Sequence, residues 1–256
     1  MRGGWLPLAY VRSAGAVYGA QRDGDVVVAC VSGWRDTALL RGCLESVAIA
    51  GWPAIYLDGA YETFLPGATP EQWTTPHEDL DSAVDGLLGV VCIRARRDRM
   101  WVNEAEKKSI LVDYAWWLHG RLDAEWALFL DTDERVEVRS PSVLNDWLSK
   151  QRHLLWCDVN IWRPEHNHDP GGFPIPRLLR LRSDLEFRSP RDFDVFCAGE
   201  RIAYLDGEKV PVSLSGRHES VPLDLLRLRH DRHERSSDRI AQNGEYQRRR
   251  RIEHGV

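Results

Sequence analysis

No stretch of this chain stays apolar for the roughly 18 to 20 residues that a membrane span requires. That argues against a membrane-embedded polymerising enzyme and for a soluble protein. A continuous signal-peptide core is missing as well, because Arg12, Gln21, Arg22 and Asp23 interrupt the opening segment. The expected location is cytoplasmic. Cysteine is sparse and unpatterned: Cys30, Cys43, Cys92, Cys157 and Cys197 are odd in number and form no C-x-x-C pair. Free thiols in a reducing compartment fit this better than a disulfide framework or a zinc site. An excess of positive charge is also absent. The formal net charge of −5 argues against a protein that coats nucleic acid over its whole surface. Internal repeats and low-complexity linkers are lacking too, so the 256 residues read as one domain with a sizeable core.

What is present is an alternation of buried strands and amphipathic helices. Residues 1–24 are irregular and read as an N-terminal arm. Asp25 to Val31 is a β-branched run, hence a buried strand. Ser32, Gly33 and Trp34 form the turn after it, with Asp36 or Thr37 placed to cap a helix. Leu39, Leu40, Cys43, Leu44 and Val47 then recur at helical spacing. Ala54–Leu57 is a second short strand that ends in Asp58-Gly59. After a loop with one short helix near 79–88, Val90–Ile93 reads as a third strand. A helix follows from Glu104 to His119, and a strand from Trp126 to Leu130. This βαβ arrangement predicts an α/β fold with a Rossmann-like nucleotide-binding sheet. The second half is less regular. It predicts a helix at 143–150, a strand at 154–162, two strands of a small mixed sheet at 178–181 and 185–187, and an Arg-rich helix at 237–251. The division expected is a nucleotide-binding half at 25–140 and an acceptor-binding half at 141–256.

The most informative stretch is Ala127-Leu128-Phe129-Leu130-Asp131-Thr132-Asp133-Glu134. A short apolar run is what a strand buried on both faces looks like. It delivers two carboxylates to the sheet's carboxyl edge, where open α/β sheets bind ligands. Asp-X-Asp suits a hard divalent cation such as Mg²⁺ or Mn²⁺, which takes oxygen ligands and shares them with a phosphate. A solvated acidic turn at a strand end is the plainer alternative.

The segments VVVACVSGWRDTALLRGCLESV, IYLDG, RMWVNEAEKKSILVDYA and WALFLDTDERV, in that order, resemble the glycosyltransferase-A fold, particularly family 2-type glycosyltransferases. The resemblance covers residues 25 to 140, with a fainter echo in PRLLRLRSDLEFR and RLRHDRHERS. It implies a nucleotide-diphosphate sugar donor lying across the strand ends, near Ser32. Asp58 matches the acid that contacts base or ribose, although a turn former before Gly59 explains it equally. Asp131 and Asp133 match the motif that holds Mn²⁺ or Mg²⁺. Asp133 is the candidate for direct coordination, and Asp131 the candidate for ribose or a metal-bound water. A late histidine often adds a metal ligand in such enzymes; His230 matches it, with His233 competing.

Positive charge beside this edge would offset a departing diphosphate. Lys107 and Lys108 on the helix and Arg94, Arg96, Arg97 and Arg99 before it are the candidates, with Lys108 and Arg97 foremost. A salt-bridged face shared with Glu104 and Glu106 is the alternative. An inverting enzyme needs a general base, for which Asp192 and Asp194 stand in the expected place and Glu186 is a further choice. This segment departs from the usual family pattern, so the stereochemistry stays open. The loop containing His166 and His168 reads as an acceptor-binding loop or a metal site, and Arg248–Arg251 as a solvated face or a phosphate patch. Trp is abundant at 11 residues, and since indole stacks on sugar rings, one or two could line an acceptor groove. The acceptor itself (protein, glycan, lipid-linked sugar or modified nucleobase) is left open. A nucleotidyltransferase is the second enzyme reading, weakened because only Ser32-Gly33-Trp34 stands where a Gly-rich phosphate loop belongs. A non-catalytic sugar- or nucleic-acid-binding module is the third.

Overall fold

The computed structural model describes residues 27–122, 124–164, 172–188, 194–197, 200–205, 211–213, 218–231, 240–242, 244–246 and 248–249. The N-terminal arm, the loop with His166 and His168, Asp192 and His233 fall outside them.

The first half alternates strand and helix: β1 (Val27–Ser32), α1 (Thr37–Ile49), β2 (Ala54–Leu57), α2 (Pro70–Trp73), α3 (His77–Val84), β3 (Val90–Ile93), α4 (Glu104–Leu122) and β4 (Trp126–Asp131). The second half adds β5 (Glu134–Val138), α5 (Pro141–Lys150), β6 (Trp156–Trp162) and β7 (Phe173–Arg180). It continues with β8 (Leu185–Arg188), β9 (Asp194–Cys197), β10 (Glu200–Leu205), β11 (Pro211–Ser213), β12 (His218–Ser220) and β13 (Leu226–His230).

One sheet runs β3-β2-β1-β4-β7-β6-β13-β5, with β12 also on β6, and a second runs β11-β10-β9-β8. The four strands β3, β2, β1 and β4 are parallel. β7 then lies antiparallel to both β4 and β6. Apolar residues fill β1, β2 and β4 because both sheet faces are covered. α1, α3 and α5 close one face through Leu40, Leu44, Leu80, Leu144 and Leu148. α4 closes the other through Leu111, Val112, Ala115 and Leu118. On that second face β8 packs beside α4, with Phe187 edge-on to Phe129 at 5.3 Å between ring centres. The α/β class with a Rossmann-like sheet is the fold the chain adopts.

The second half differs from the sequence reading in its strands, of which β9 to β13 have no counterpart there. The sequence pattern places Leu178–Leu181 in the small sheet, but residues 178–180 end β7 in the main sheet and Leu181 follows it, while 185–187 do join the small one. Pro174 and Pro176 obscured this strand, since proline seldom sits inside a sheet. β5 was not anticipated, because its charges interrupt the apolar pattern. Glu134 and Val136 are its buried positions, and it pairs along its length with β13. Among the described residues, no helix is long and apolar enough to cross a membrane. Cys30, Cys43, Cys92 and Cys157 are buried free thiols, and burial pushes the Cys92 thiol up to about 12.

Candidate functional site at the carboxyl edge of the sheet

From β1 the chain adds β2 and β3 on one side and β4 on the other. The strand order therefore reverses between β1 and β4, and such a switch point leaves a crevice at the carboxyl ends of the strands. The register puts Ser32 opposite Asp131 there, and Ser32 opposite Leu57 just before Asp58. The turns after β1 and β4 are pressed together. A Cβ on Gly33 would meet Thr132 Cγ2 at 2.3 Å. Gly33→Ala is therefore expected to cost about 1–3 kcal/mol through overpacking, read as a lower urea midpoint at constant slope. A cost below about 0.5 kcal/mol, inside the range of neutral surface changes, would show that the turns part freely.

The acidic motif divides into three environments. Asp133 is wholly buried, and its Oδ2 lies 3.0 Å from His230 Nε2. His230 ends β13, whose partner β5 starts at Glu134, and the register pairs the two residues. The Asp231 N–H then donates to the Asp133 carbonyl at 2.7 Å. Asp231 is held in turn by Arg229, at 2.9 and 3.0 Å, and by Arg135. Asp131 is 42% exposed and accepts a bond from Arg177 Nη2 at 3.1 Å. Glu134 is buried, takes a 2.6 Å bond from the same Arg177 nitrogen, and accepts the Asp131 N–H at 2.9 Å. Burial raises the Glu134 carboxyl above the usual carboxylate range; Arg177 opposes the rise, while Asp131 and Asp133 add to it. Arg177 and Glu134 thus belong to the same cluster, and the sequence reading gave neither a role. The Glu was visible within the motif itself. Arg177 had no comparable signal.

The other candidates have definite surroundings. Asp58 is 1% exposed, and both its carboxylate oxygens are engaged by Thr75, through the hydroxyl at 2.5 Å and the N–H at 3.1 Å. Burial raises its pKa, and the Thr75 bonds and the Lys107 charge pull it back. It fastens the loop after α2 to the strand ends, and Arg35 N donates to the same Thr75 hydroxyl. Lys107 is turned inward, where Nζ donates to the carbonyls of Gly33 at 3.1 Å and Gly59 at 2.6 Å. Lys108 pairs with Glu104 at 2.7 Å. The Lys108 charge holds Glu104 below the usual carboxylate range, and Glu104 also feels Asp131 and Arg177, so this pair borders the acidic edge.

Arg94, Arg96 and Arg99 are tied to Asp81, Asp98 and Glu106, and Arg97 is exposed. Arg248 pairs with Glu245, while Arg249 donates to the Phe64 carbonyl at 2.8 Å. Asp194 opens β9, and Glu186 lies in β8 opposite Phe196.

Above the edge, Trp34, Phe64, Trp73, Met100 and Tyr246 form a separate aromatic-rich cluster. A cleft of about 340 Å³ beside it is lined by Trp34, Arg35, Leu65, Gln72 and Gln242, among others. No group of three or more His, Cys, Asp or Glu side chains among the described residues is arranged to hold a metal. Asp133 and His230 supply a close pair, not a complete ligand set.

No protein-family model and no curated protein matches the sequence. Among solved structures, S. aureus TarS is similar at a TM-score of 0.37 and 10% identity. That likeness covers 54% of this chain and 22% of the other.

Proposed function

We propose that this protein is a metal-dependent glycosyltransferase that moves a sugar from a nucleotide-diphosphate donor to an acceptor hydroxyl. The observation that supports this best is the Asp133–His230 pair, 3.0 Å apart, at the carboxyl edge of a parallel sheet. A carboxylate and an imidazole give the mixed oxygen and nitrogen donor set that accommodates Mn²⁺. The remaining positions would fall to the diphosphate and water, as is usual for ions held by one or two carboxylates beside a substrate phosphate. When bound, the ion would neutralise charge on the departing diphosphate.

The chain's own groups supply the rest. Ser32 and Asp131 border the donor, and Lys108 adds positive charge. In the transfer, the acceptor oxygen bonds to the anomeric carbon as that carbon's bond to the diphosphate oxygen breaks. The hydroxyl proton passes to a carboxylate, for which Asp192 and Asp194 are the candidates in an inverting reaction.

A thermal-shift screen of nucleoside diphosphates and their sugars, with and without Mn²⁺, tests the reading. A ligand that binds the native state raises the melting temperature by mass action, by about 2.7 kcal/mol of stabilisation at 100 times Kd. A Mn²⁺-dependent shift with one base is the expected result and names the donor. Folded protein that responds to none of them would sink the transferase reading.

A further inference from the structure

A β-bulge sets Arg177 apart from its neighbours on β7. Against β6 the register runs from Cys157 with Leu178 to Asp158 with Pro176, so Arg177 is the extra residue between them. Bulges re-aim a side chain and are frequent beside active sites. The preceding Pro176 has no N–H to give a ladder, which suits the break. The re-aimed side chain crosses to the acidic edge, where Nη2 alone carries both bonds, to Asp131 and Glu134.

A guanidinium has five N–H donors in a rigid fork, and the two bonds to the acidic edge occupy only Nη2. Nε is buried and has no hydrogen-bond partner among the described residues. Buried donors are almost always satisfied in folded proteins. One left over beside an edge that also carries the Lys108–Glu104 pair points to an oxygen supplied by a ligand. Glu134 and Asp131 draw a single nitrogen, so they anchor the guanidinium without consuming it.

We infer that Arg177 binds the diphosphate of the nucleotide ligand, offering N–H groups other than those on Nη2, Nε–H among them, to phosphate oxygens while Nη2 stays anchored on Asp131 and Glu134. This rests on the function proposed above. One planar guanidinium can meet two carboxylates and a phosphate at once from separate nitrogens, which the single ammonium of a lysine cannot reproduce.

The test is calorimetric titration of inorganic pyrophosphate into the metal-free protein. Wild type is compared with Arg177→Lys and with the double variant Arg177→Gln/Glu134→Gln. Removing Arg177 alone would strand a buried carboxylate, whereas removing both partners avoids that penalty. Wild type is expected to bind pyrophosphate, and Arg177→Lys to bind on the order of tenfold more weakly. The double variant should keep its melting temperature within a few degrees and lose binding. Pyrophosphate affinity equal to wild type in the folded double variant, or no binding by wild type, overturns the inference. A Mn²⁺-dependent shift with a nucleotide sugar, seen alongside unchanged pyrophosphate affinity, sinks Arg177's role and leaves the transferase reading standing. Pyrophosphate binding that depends on Arg177, with no response to any nucleotide sugar, supports the anion site and sinks the transferase reading.

Discussion

Lys107→Met is expected to destabilise the protein by about 2–5 kcal/mol, more than any loss of surface charge could. Lys107 is 4% exposed, and its ammonium bridges the carbonyls of Gly33 and Gly59, which belong to the turns after β1 and β2. Methionine matches its length but donates nothing. Each buried carbonyl left without a donor costs about 1–3 kcal/mol. The nearby Asp58 also loses a positive charge that offsets its burial. The two turns then lose the tie that fixes them relative to each other, and with them the floor of the crevice. Urea unfolding should show a lower midpoint at an unchanged slope. Lys108→Met is the contrast: Lys108 is also buried, but its Glu104 partner is half-exposed, so the expected loss is one part-screened ion pair with no carbonyl bridge between turns, and is smaller. If the two variants lose similar stability, the inward role assigned to Lys107 is wrong.

That pair of lysines marks the limit of what the sequence could reveal. Adjacent positions on a helix point about 100° apart, and the sequence does not say which of them faces the sheet. Both could be read as cations for a diphosphate and both are buried, yet Lys107 clamps the carbonyls of two turns while Lys108 pairs with the half-exposed Glu104. The parallel strands were legible because each is a short apolar run covered on both faces, and the acidic motif because it follows one of those runs directly. His230 was legible only through resemblance, and the register of β13 with β5 accounts for its meeting Asp133. Arg177 was not legible at all. Its direction depends on a bulge against β6, and the register of that pairing is absent from the local pattern. Asp58 was visible as an acid at a strand end, but its capture by Thr75 depends on a loop closing over it from 17 positions away.

Asp133→Asn should abolish the metal response while leaving the fold intact, and that combination separates a ligand from a structural pair. Asparagine keeps the shape and can still bond to His230, but it carries no charge to hold a divalent ion. Mn²⁺ affinity is expected to fall roughly 100-fold or more, beyond what loss of a supporting partner does, or about 2.8 kcal/mol at 1.4 per tenfold. Mn²⁺-dependent binding of a nucleoside diphosphate should disappear with it. Stability without metal should move the other way or not at all. Asp133 is wholly buried, and it raises the Glu134 pKa, so neutralising it relieves repulsion between like charges. His230→Ala should weaken Mn²⁺ binding less than Asp133→Asn does, since the carboxylate supplies the charge and the imidazole only a neutral donor. Were the pair structural, Asp133→Asn would lose stability equally with and without Mn²⁺, and nucleotide affinity would not depend on the residue. Titration calorimetry of Mn²⁺, with melting curves at both metal conditions, decides between the two. Unchanged metal and nucleotide affinity in a folded Asp133→Asn protein would remove the ion from the proposed chemistry and leave Arg177 and Lys108 as the charges facing the diphosphate.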